Sequence, residues 1–86
     1  MNLGDNMSTY QRDFQFPEDI WKTISKNIRK YRLQVGITQE QLAVDIKKSY
    51  DFTRRLEFTK GKVHCTVETL YRISVVLEIT MDKFFE

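Results

Sequence analysis

The chain has 86 residues, of which 41% are hydrophobic and 30% charged, and this length predicts one domain near the lower end of what folds unaided. The formal net charge is only +2, no apolar run reaches the ~18 residues of a transmembrane helix, and the N-terminus lacks the apolar segment of a secretory signal. Cys65 is the single cysteine, so an intrachain disulfide is excluded and a cytoplasmic location is expected.

The first part of the chain predicts an arm followed by a helix. Residues 1–16 lack helical or strand periodicity and are predicted to form a flexible arm, which leaves 17–86 as the folded domain. Pro17 followed by Glu18 and Asp19 is typical of the first turn of a helix, and Gly36 suits its C-terminal cap. The apolar face between them consists of Ile20, Ile24, Ile28, Tyr31 and Val35.

Two short helices with a tight turn between them are predicted next. Thr38 and Gln41 fit a capping box, in which each side chain satisfies a backbone group at the start of the helix. Leu42 and Ile46 then give this helix an apolar side over about two turns. Ser49 suits the N-cap of the following helix, at about residues 49–57.

The C-terminal part predicts a fourth helix and a last helical turn, whose N-terminal residues are Thr66 and Thr80. The apolar stripe is expected to be mostly core, with a dimer surface as the alternative. Its members are Val67, Leu70, Tyr71, Ser74 and Leu77 in the helix and Met81, Phe84 and Phe85 in the turn. One of the two adjacent phenylalanines is expected at a twofold interface, because both cannot face inward from one short helix. With no sustained strand alternation, the sequence predicts an all-α fold of five helices.

The helix at about 49–57 has two different sides when its residues are placed on a helical wheel. The outward side contains Tyr50, Asp51, Arg54 and Arg55, and the inward side contains Phe52, Thr53 and Leu56. This arrangement is typical of a recognition helix, which enters the major groove of DNA. Arginine can bind guanine or phosphate there, and aspartate can accept from the amino group of cytosine. An ordinary solvent-exposed face is the alternative.

Basic residues are concentrated in two blocks of the sequence. Residues 22–36 contain five basic and no acidic side chains, and residues 47–62 contain six basic and two acidic ones. If the blocks meet in space, they form a surface that attracts phosphate. A solvated surface of alternating charge is the alternative for either block alone.

Three segments carry a resemblance to a known family: IRKYRLQVGITQEQLAVDI, SYDFTRRLE and TVETLYRISVVLEITMDKFF. Over about two thirds of its length, from about Ile28 to Phe85, the chain resembles the helix-turn-helix family of phage repressor and Cro proteins, the XRE family. The resemblance implies a compact, five-helix, lambda-repressor-like DNA-binding domain. It also implies that Arg32 and Glu57 form a partly buried pair joining the first helix to the end of the third.

The resemblance further implies which residues contact DNA. The expected base-reading residues are Tyr50, Asp51 and Arg55. The expected backbone-contacting residues are Thr38, Gln39, Ser49, Arg54, Lys60 and Lys62. Four positions depart from the family. Lys47 replaces a glycine of the turn, Lys48 an apolar residue, Thr53 an aliphatic one, and Thr59 a glycine that often follows the glutamate. A left-handed Lys47 is expected to cost about 1 kcal/mol relative to glycine.

The expected function is a sequence-specific, double-stranded DNA-binding transcriptional regulator, a repressor that acts as a homodimer on a twofold-related operator. The alternative is a protein-interaction module or an antitoxin-like partner protein, with the arm at 1–16 as the partner-binding segment. No enzyme, cofactor or membrane partner is expected, because no nucleophile has an evident base and no glycine-rich phosphate loop is present. No metal is expected either, since adjacent His64 and Cys65 diverge on any regular element.

Overall fold

The computed structural model describes residues 19–58 and 60–86, and this part of the chain is helical without strands. Four α-helices are present: α1 (Ile20–Val35), α2 (Gln39–Ile46), α3 (Tyr50–Phe58) and α4 (Val67–Val76). The last helical turn predicted after Thr80 is a 3-10 helix, Met81–Phe85, rather than a fifth α-helix. None of the described helices is long and apolar enough to cross a membrane. The predicted arm at 1–16 lies outside the described residues.

A single core joins all five elements. Its fully or almost fully buried apolar side chains are Ile24, Ile28, Leu42, Ala43, Ile46, Leu56, Leu70, Ile73, Leu77 and Phe84. The 3-10 helix is also held by a polar contact, because the side-chain amide of buried Asn27 donates to the carbonyl oxygen of Phe84 at 2.8 Å. The buried face predicted for α1 is confirmed at Ile24 and Ile28, whereas Val35 is exposed in the last turn of the helix.

The buried stripe predicted for α4 is only partly correct. Leu70, Ser74 and Leu77 are buried, but Val67 and Tyr71 are 75% and 59% exposed. On a helical wheel the buried side centres on Leu70, Ile73 and Leu77, which leaves Tyr71 at its edge. Val67 is the first residue of the helix, beyond the reach of the core.

N-cap side chains lie at the beginning of α1, α3 and α4. The hydroxyl groups of Thr66 and Ser49 accept from the backbone N–H three residues later, as predicted. Asp19 is the N-cap of α1 rather than part of its first turn, and its carboxylate accepts from the Trp21 N–H at 2.8 Å. Pro17 and Glu18, which share that prediction, lie outside the described residues.

The capping box predicted for α2 is half formed. Thr38 Oγ1 accepts from the Gln41 N–H at 3.0 Å. The Gln41 side chain does not return this bond, because its amide donates to Asp45 Oδ1 at 2.9 Å, one turn further along the helix. The prediction of a reciprocal pair was therefore wrong for Gln41.

The corner between α2 and α3 closes through a left-handed residue. Lys47 has φ 60° and ψ 45°, and the N–H groups of Lys47 and Lys48 donate to the carbonyls of Val44 and Ala43 at 3.2 and 2.9 Å. These two bonds form a Schellman motif, which usually contains glycine. The Lys48 ammonium lies 5.5 Å from the centroid of the Phe52 ring, so this lysine contacts an aromatic face at the corner.

Replacing Lys47 with glycine is expected to raise the free energy of unfolding by about 1 kcal/mol, since glycine reaches φ 60° without Cβ strain. Urea denaturation measures this change. Lys48→Gly is the matched control, because Lys48 is not among the residues with positive φ. Its expected effect is neutral or destabilising. An equal gain in both variants would show that the stabilisation does not arise from backbone conformation at Lys47.

The connection between α3 and α4 packs against the first turn of α1. Gly61 has φ 91°, and a Cβ atom added to it would lie 2.6 Å from the Lys22 backbone nitrogen. The ring of His64 stacks on that of Trp21, with centroids 4.6 Å apart and an angle of 10° between the planes. These contacts fix the connection relative to the beginning of α1.

Candidate nucleic-acid interface

The outward side of α3 is exposed as the helical wheel predicts. Tyr50, Asp51, Arg54 and Arg55 are all exposed, whereas Thr53 and Leu56 are fully buried and Phe52 is half-buried. Thr53, which stands where the family has an aliphatic residue, donates its hydroxyl to the Ser49 carbonyl at 3.1 Å. The hydroxyl is therefore satisfied within the helix, and Thr53 fits the core side of α3.

Asp51 forms ion pairs with both arginines on this side of α3. Its carboxylate oxygens lie 2.6 Å from Arg54 Nη2 and 3.9 Å from Arg55 Nη1. Because all three side chains are exposed, each pair adds only a few tenths of a kcal/mol to stability. Asp51, Arg54 and Arg55 together carry a net charge of one positive unit. The ion pair with Asp51 also holds the Arg54 guanidinium close to the helix. Arg54 occupies Asp51 Oδ1, whereas Oδ2 is not within hydrogen-bond distance of Arg55 Nη1 and keeps acceptor capacity.

A buried ion pair anchors this helix from behind. Arg32 Nε lies 2.6 Å from Glu57 Oε2, Arg32 Nη2 donates to Glu57 Oε1 at 3.0 Å, and the two side chains are only 8% and 1% exposed. Arg32 Nη1 also donates to the Ile37 carbonyl at 2.8 Å. The predicted pair is thus present in bidentate geometry, and it connects α1, the α1–α2 turn and the end of α3.

Gln39 joins the same network. Its side-chain Nε2 donates to Glu57 Oε1 at 3.0 Å, which links the beginning of α2 to the end of α3. The resemblance assigned both the side chain and the backbone N–H of Gln39 to DNA, but the structure gives the side-chain amide an internal partner. The Gln41 N–H donates to Thr38, but the backbone N–H groups of Gln39 and Glu40 have no acceptor within α2, so these two remain suited to a phosphate.

The two basic blocks of the sequence meet at one groove. Lys22, Lys26 and Arg29 of α1 line it together with Lys60 of the α3–α4 connection. Lys62 is exposed on the same connection. These side chains of the two basic blocks therefore share one surface, as expected if the blocks meet in space. The surface adjoins the C-terminal end of α3.

Phe58 is a surface residue of α3 that the sequence reasoning missed. Its side chain is 73% exposed, although a phenylalanine at the end of a short amphipathic helix would ordinarily pack inward. A signal was present, because Phe58 follows Arg54 by four residues and therefore shares its side of the helix. Phe58 extends the exposed side of α3 with an aromatic ring.

A second exposed surface lies between α4 and the 3-10 helix. Val67, Tyr71 and Met81 line a groove there, and Glu68 and Arg72 lie beside them. Phe84 is fully buried while Phe85 is exposed, which confirms that only one of these two residues faces inward. This surface is one of the exposed apolar areas of the described residues.

His64 and Cys65 lie in the connection between α3 and α4. His64 stacks on Trp21, and its Nε2 lies 3.0 Å from the Gly61 carbonyl oxygen. Within residues 19–58 and 60–86, no group of three or more His, Cys, Asp or Glu side chains is placed to hold a metal ion. Burial raises the pKa of the Cys65 thiol from 9.0 to about 11, with a smaller opposing effect from the nearby Lys48 charge.

The shifted pKa predicts slow alkylation of Cys65. A shift from 9.0 to about 11 leaves about 100-fold less thiolate at neutral pH in the folded chain than in the unfolded one. Iodoacetamide should therefore modify Cys65 about two orders of magnitude faster in denaturing urea than in buffer. Above pH 9.0 the folded state should lose stability, because there the unfolded thiol ionises while the folded one keeps its proton. Equal alkylation rates in both conditions would contradict a protected thiol.

Comparisons with known proteins do not place this geometry in a family: no protein-family model, no curated protein and no solved structure matches the chain. The functional interpretation therefore depends on the residues themselves.

Proposed function

We propose that the chain is a sequence-specific, double-stranded DNA-binding transcriptional regulator that acts as a repressor. In this proposal α2, the corner at Lys47 and α3 form the helix-turn-helix of a lambda-repressor-like domain, and α3 enters the major groove. The supporting observation is the exposed polar side of α3, on a helix held from behind by the core and the Arg32–Glu57 pair. Base reading needs side chains that project from a rigidly held helix.

The proposed contacts divide into base reading and backbone binding. Tyr50, Asp51 and Arg55 read base edges, with Arg55 suited to guanine O6 and N7. Arg54 leaves Asp51 for a phosphate, which frees Asp51 Oδ1 as well as Oδ2 to accept from cytosine. The other proposed backbone contacts are Thr38, Gln39, Ser49, Lys60 and Lys62, with Gln39 contributing its backbone N–H because its side-chain amide binds Glu57.

The proposed homodimer forms through the surface between α4 and the 3-10 helix. Exposed Val67 and Tyr71 supply apolar area on this surface, and Phe85 is exposed on the 3-10 helix that borders it. Glu68 and Arg72 lie on the same surface, so a twofold axis there allows each copy's carboxylate to pair with the other copy's guanidinium. Such a dimer holds two recognition helices about one DNA turn, or ~34 Å, apart on a twofold-related operator. The proposed regulator is cytoplasmic, with no catalytic role and no cofactor.

The second candidate function is a protein-interaction module, or an antitoxin-like partner, on the same fold. The observation that favours it is the 2.6 Å contact between Asp51 and Arg54, which joins two of the four outward polar side chains to each other. The arm at 1–16, the partner-binding segment in this alternative, lies outside the described residues.

Selection from a random duplex library tests the proposal, followed by titration of the selected duplex against a scrambled one at several salt concentrations. A preferred, roughly twofold-symmetric site is expected, bound at least about 1,000-fold more tightly than the scrambled duplex and with a steep salt dependence. If all duplexes bind alike and weakly, the proposal fails, and the outward side of α3 then serves another protein.

A further inference from the structure

A basic groove runs along α1 and past the C-terminal end of α3. It has a volume of about 450 Å³, and its lining residues are Lys22, Ser25, Lys26, Arg29, Glu57, Phe58 and Lys60. Glu57 is the single carboxylate among them, and it is buried and bound by Arg32 at 2.6 Å. The groove therefore carries an excess of positive charge that its own lining does not neutralise.

Ser25 provides a second, independent indication of an anionic ligand. This residue is only 1% exposed, and its hydroxyl has no hydrogen-bond partner among the described residues. A buried, unpaired polar group is costly and calls for an explanation. A hydroxyl at the base of a basic groove can donate to an anion, directly or through a bound water.

The groove is continuous with the outward side of α3. Phe58 lines the groove, and it lies one helical turn after Arg54 on the same side of the helix. Lys60 is held near α1 by the packing of Gly61 against the Lys22 backbone, where a Cβ would lie at 2.6 Å. The backbone that carries the cations of the groove thus has a fixed position relative to the residues proposed to read bases.

Dimensions favour the DNA backbone as the occupant of this groove. The nine residues of α3 span about 14 Å, and the major groove is ~12 Å wide. If α3 crosses the major groove with its N-terminal side chains at the bases, its C-terminal end comes close to a sugar–phosphate strand. The positive charges of the groove would also attract an acidic polypeptide. A duplex bound to α3, in contrast, passes the groove as a direct consequence of its binding to α3.

We propose that this groove binds the phosphodiester backbone of the duplex that α3 enters, outside the base pairs that α3 reads. Lys22, Lys26, Arg29 and Lys60 contact phosphates, and Phe58 packs against a deoxyribose. This inference rests on the proposed function and adds to it a second strand contact made by α1.

The test compares Lys26→Gln with Lys83→Gln, since each removes one positive charge. Lys83 lies on the 3-10 helix and pairs with Glu86 at 3.5 Å, away from the groove. Both variants are titrated with the selected duplex over a range of salt concentrations. For Lys26→Gln, the slope of log K against log salt is expected to fall by about 0.9 per protomer. The slope of Lys83→Gln should stay at the wild-type value.

Ethylation interference on the same duplex adds a positional readout. Phosphates flanking the bases read by α3 should interfere with binding of the wild type and lose that effect with Lys26→Gln. If Lys26→Gln retains the wild-type slope and interference while the wild type still selects a site, the groove proposal is overturned and the proposed function stands. If the wild type selects no site, both fail.

A separate titration distinguishes DNA from an acidic polypeptide as the occupant. The backbone amide resonances of Ser25, Lys26 and Phe58 are followed while either the selected duplex or polyglutamate is added. Shifts with the duplex support the proposal. Shifts with polyglutamate and none with the duplex overturn it and make the groove a protein-binding surface.

Discussion

Replacing Arg32 with alanine is expected to lower the free energy of unfolding by about 3–5 kcal/mol. The substitution leaves Glu57, with a side chain that is 1% exposed, without its bidentate partner. Gln39 supplies only one neutral hydrogen bond to the same carboxylate. The Ile37 carbonyl also loses its donor, so the turn between α1 and α2 is weakened at the same time.

Urea denaturation of the Arg32→Ala variant measures this loss, and Arg54→Ala is the control. Arg54 also pairs with a carboxylate at 2.6 Å, but both of its partners are exposed, so its loss should cost under about 0.5 kcal/mol. The double variant Arg32→Met/Glu57→Leu should recover much of the stability, because it removes the stranded charge as well. A loss in Arg32→Ala no larger than that in Arg54→Ala would show that solvent, rather than Arg32, compensates Glu57.

Local rules predicted the helices and most of their ends. Gly36 caps α1 in the left-handed region, and Ser49 and Thr66 cap α3 and α4, because each depends on backbone groups within three or four residues. A left-handed Lys47 was raised only as a condition by the family resemblance, which has glycine at the corner, because lysine itself gives no such signal. The outward side of α3 was predictable as well, because a helical wheel requires only the spacing of the residues along the sequence.

The features that the sequence did not reveal depend mostly on contacts between residues that are distant along the chain. Gln39 finds its partner 18 residues away, and only the folded chain shows that its amide binds Glu57 instead of pointing outward. The basic groove requires α1 and the α3–α4 connection to pack together, which depends on the close approach of Gly61 to Lys22. Tyr71 was assigned to the core because spacing identifies a stripe but not the position of its edge.

Replacing Arg55 with alanine is expected to weaken binding to the selected duplex by about 1–3 kcal/mol and to relax specificity at one base pair. Arg55 is exposed and its 3.9 Å contact with Asp51 is weak, so the fold should be preserved. The measurement is a titration of wild type and variant against the selected duplex and against duplexes substituted at each position. Circular dichroism and urea denaturation verify that the variant is folded.

Arg54→Ala separates base reading from charge in this experiment, because it removes the same charge one residue away. As a proposed phosphate contact, Arg54 should weaken binding to all duplexes alike and reduce the salt slope, while Arg55→Ala should affect the selected duplex most. A uniform loss in both variants would make Arg55 a backbone contact and leave Tyr50 and Asp51 as the base readers. If Arg55→Ala changes no affinity, DNA does not contact this side of α3, and the fixed arrangement of Asp51 with two arginines is then a surface for recognition by another protein.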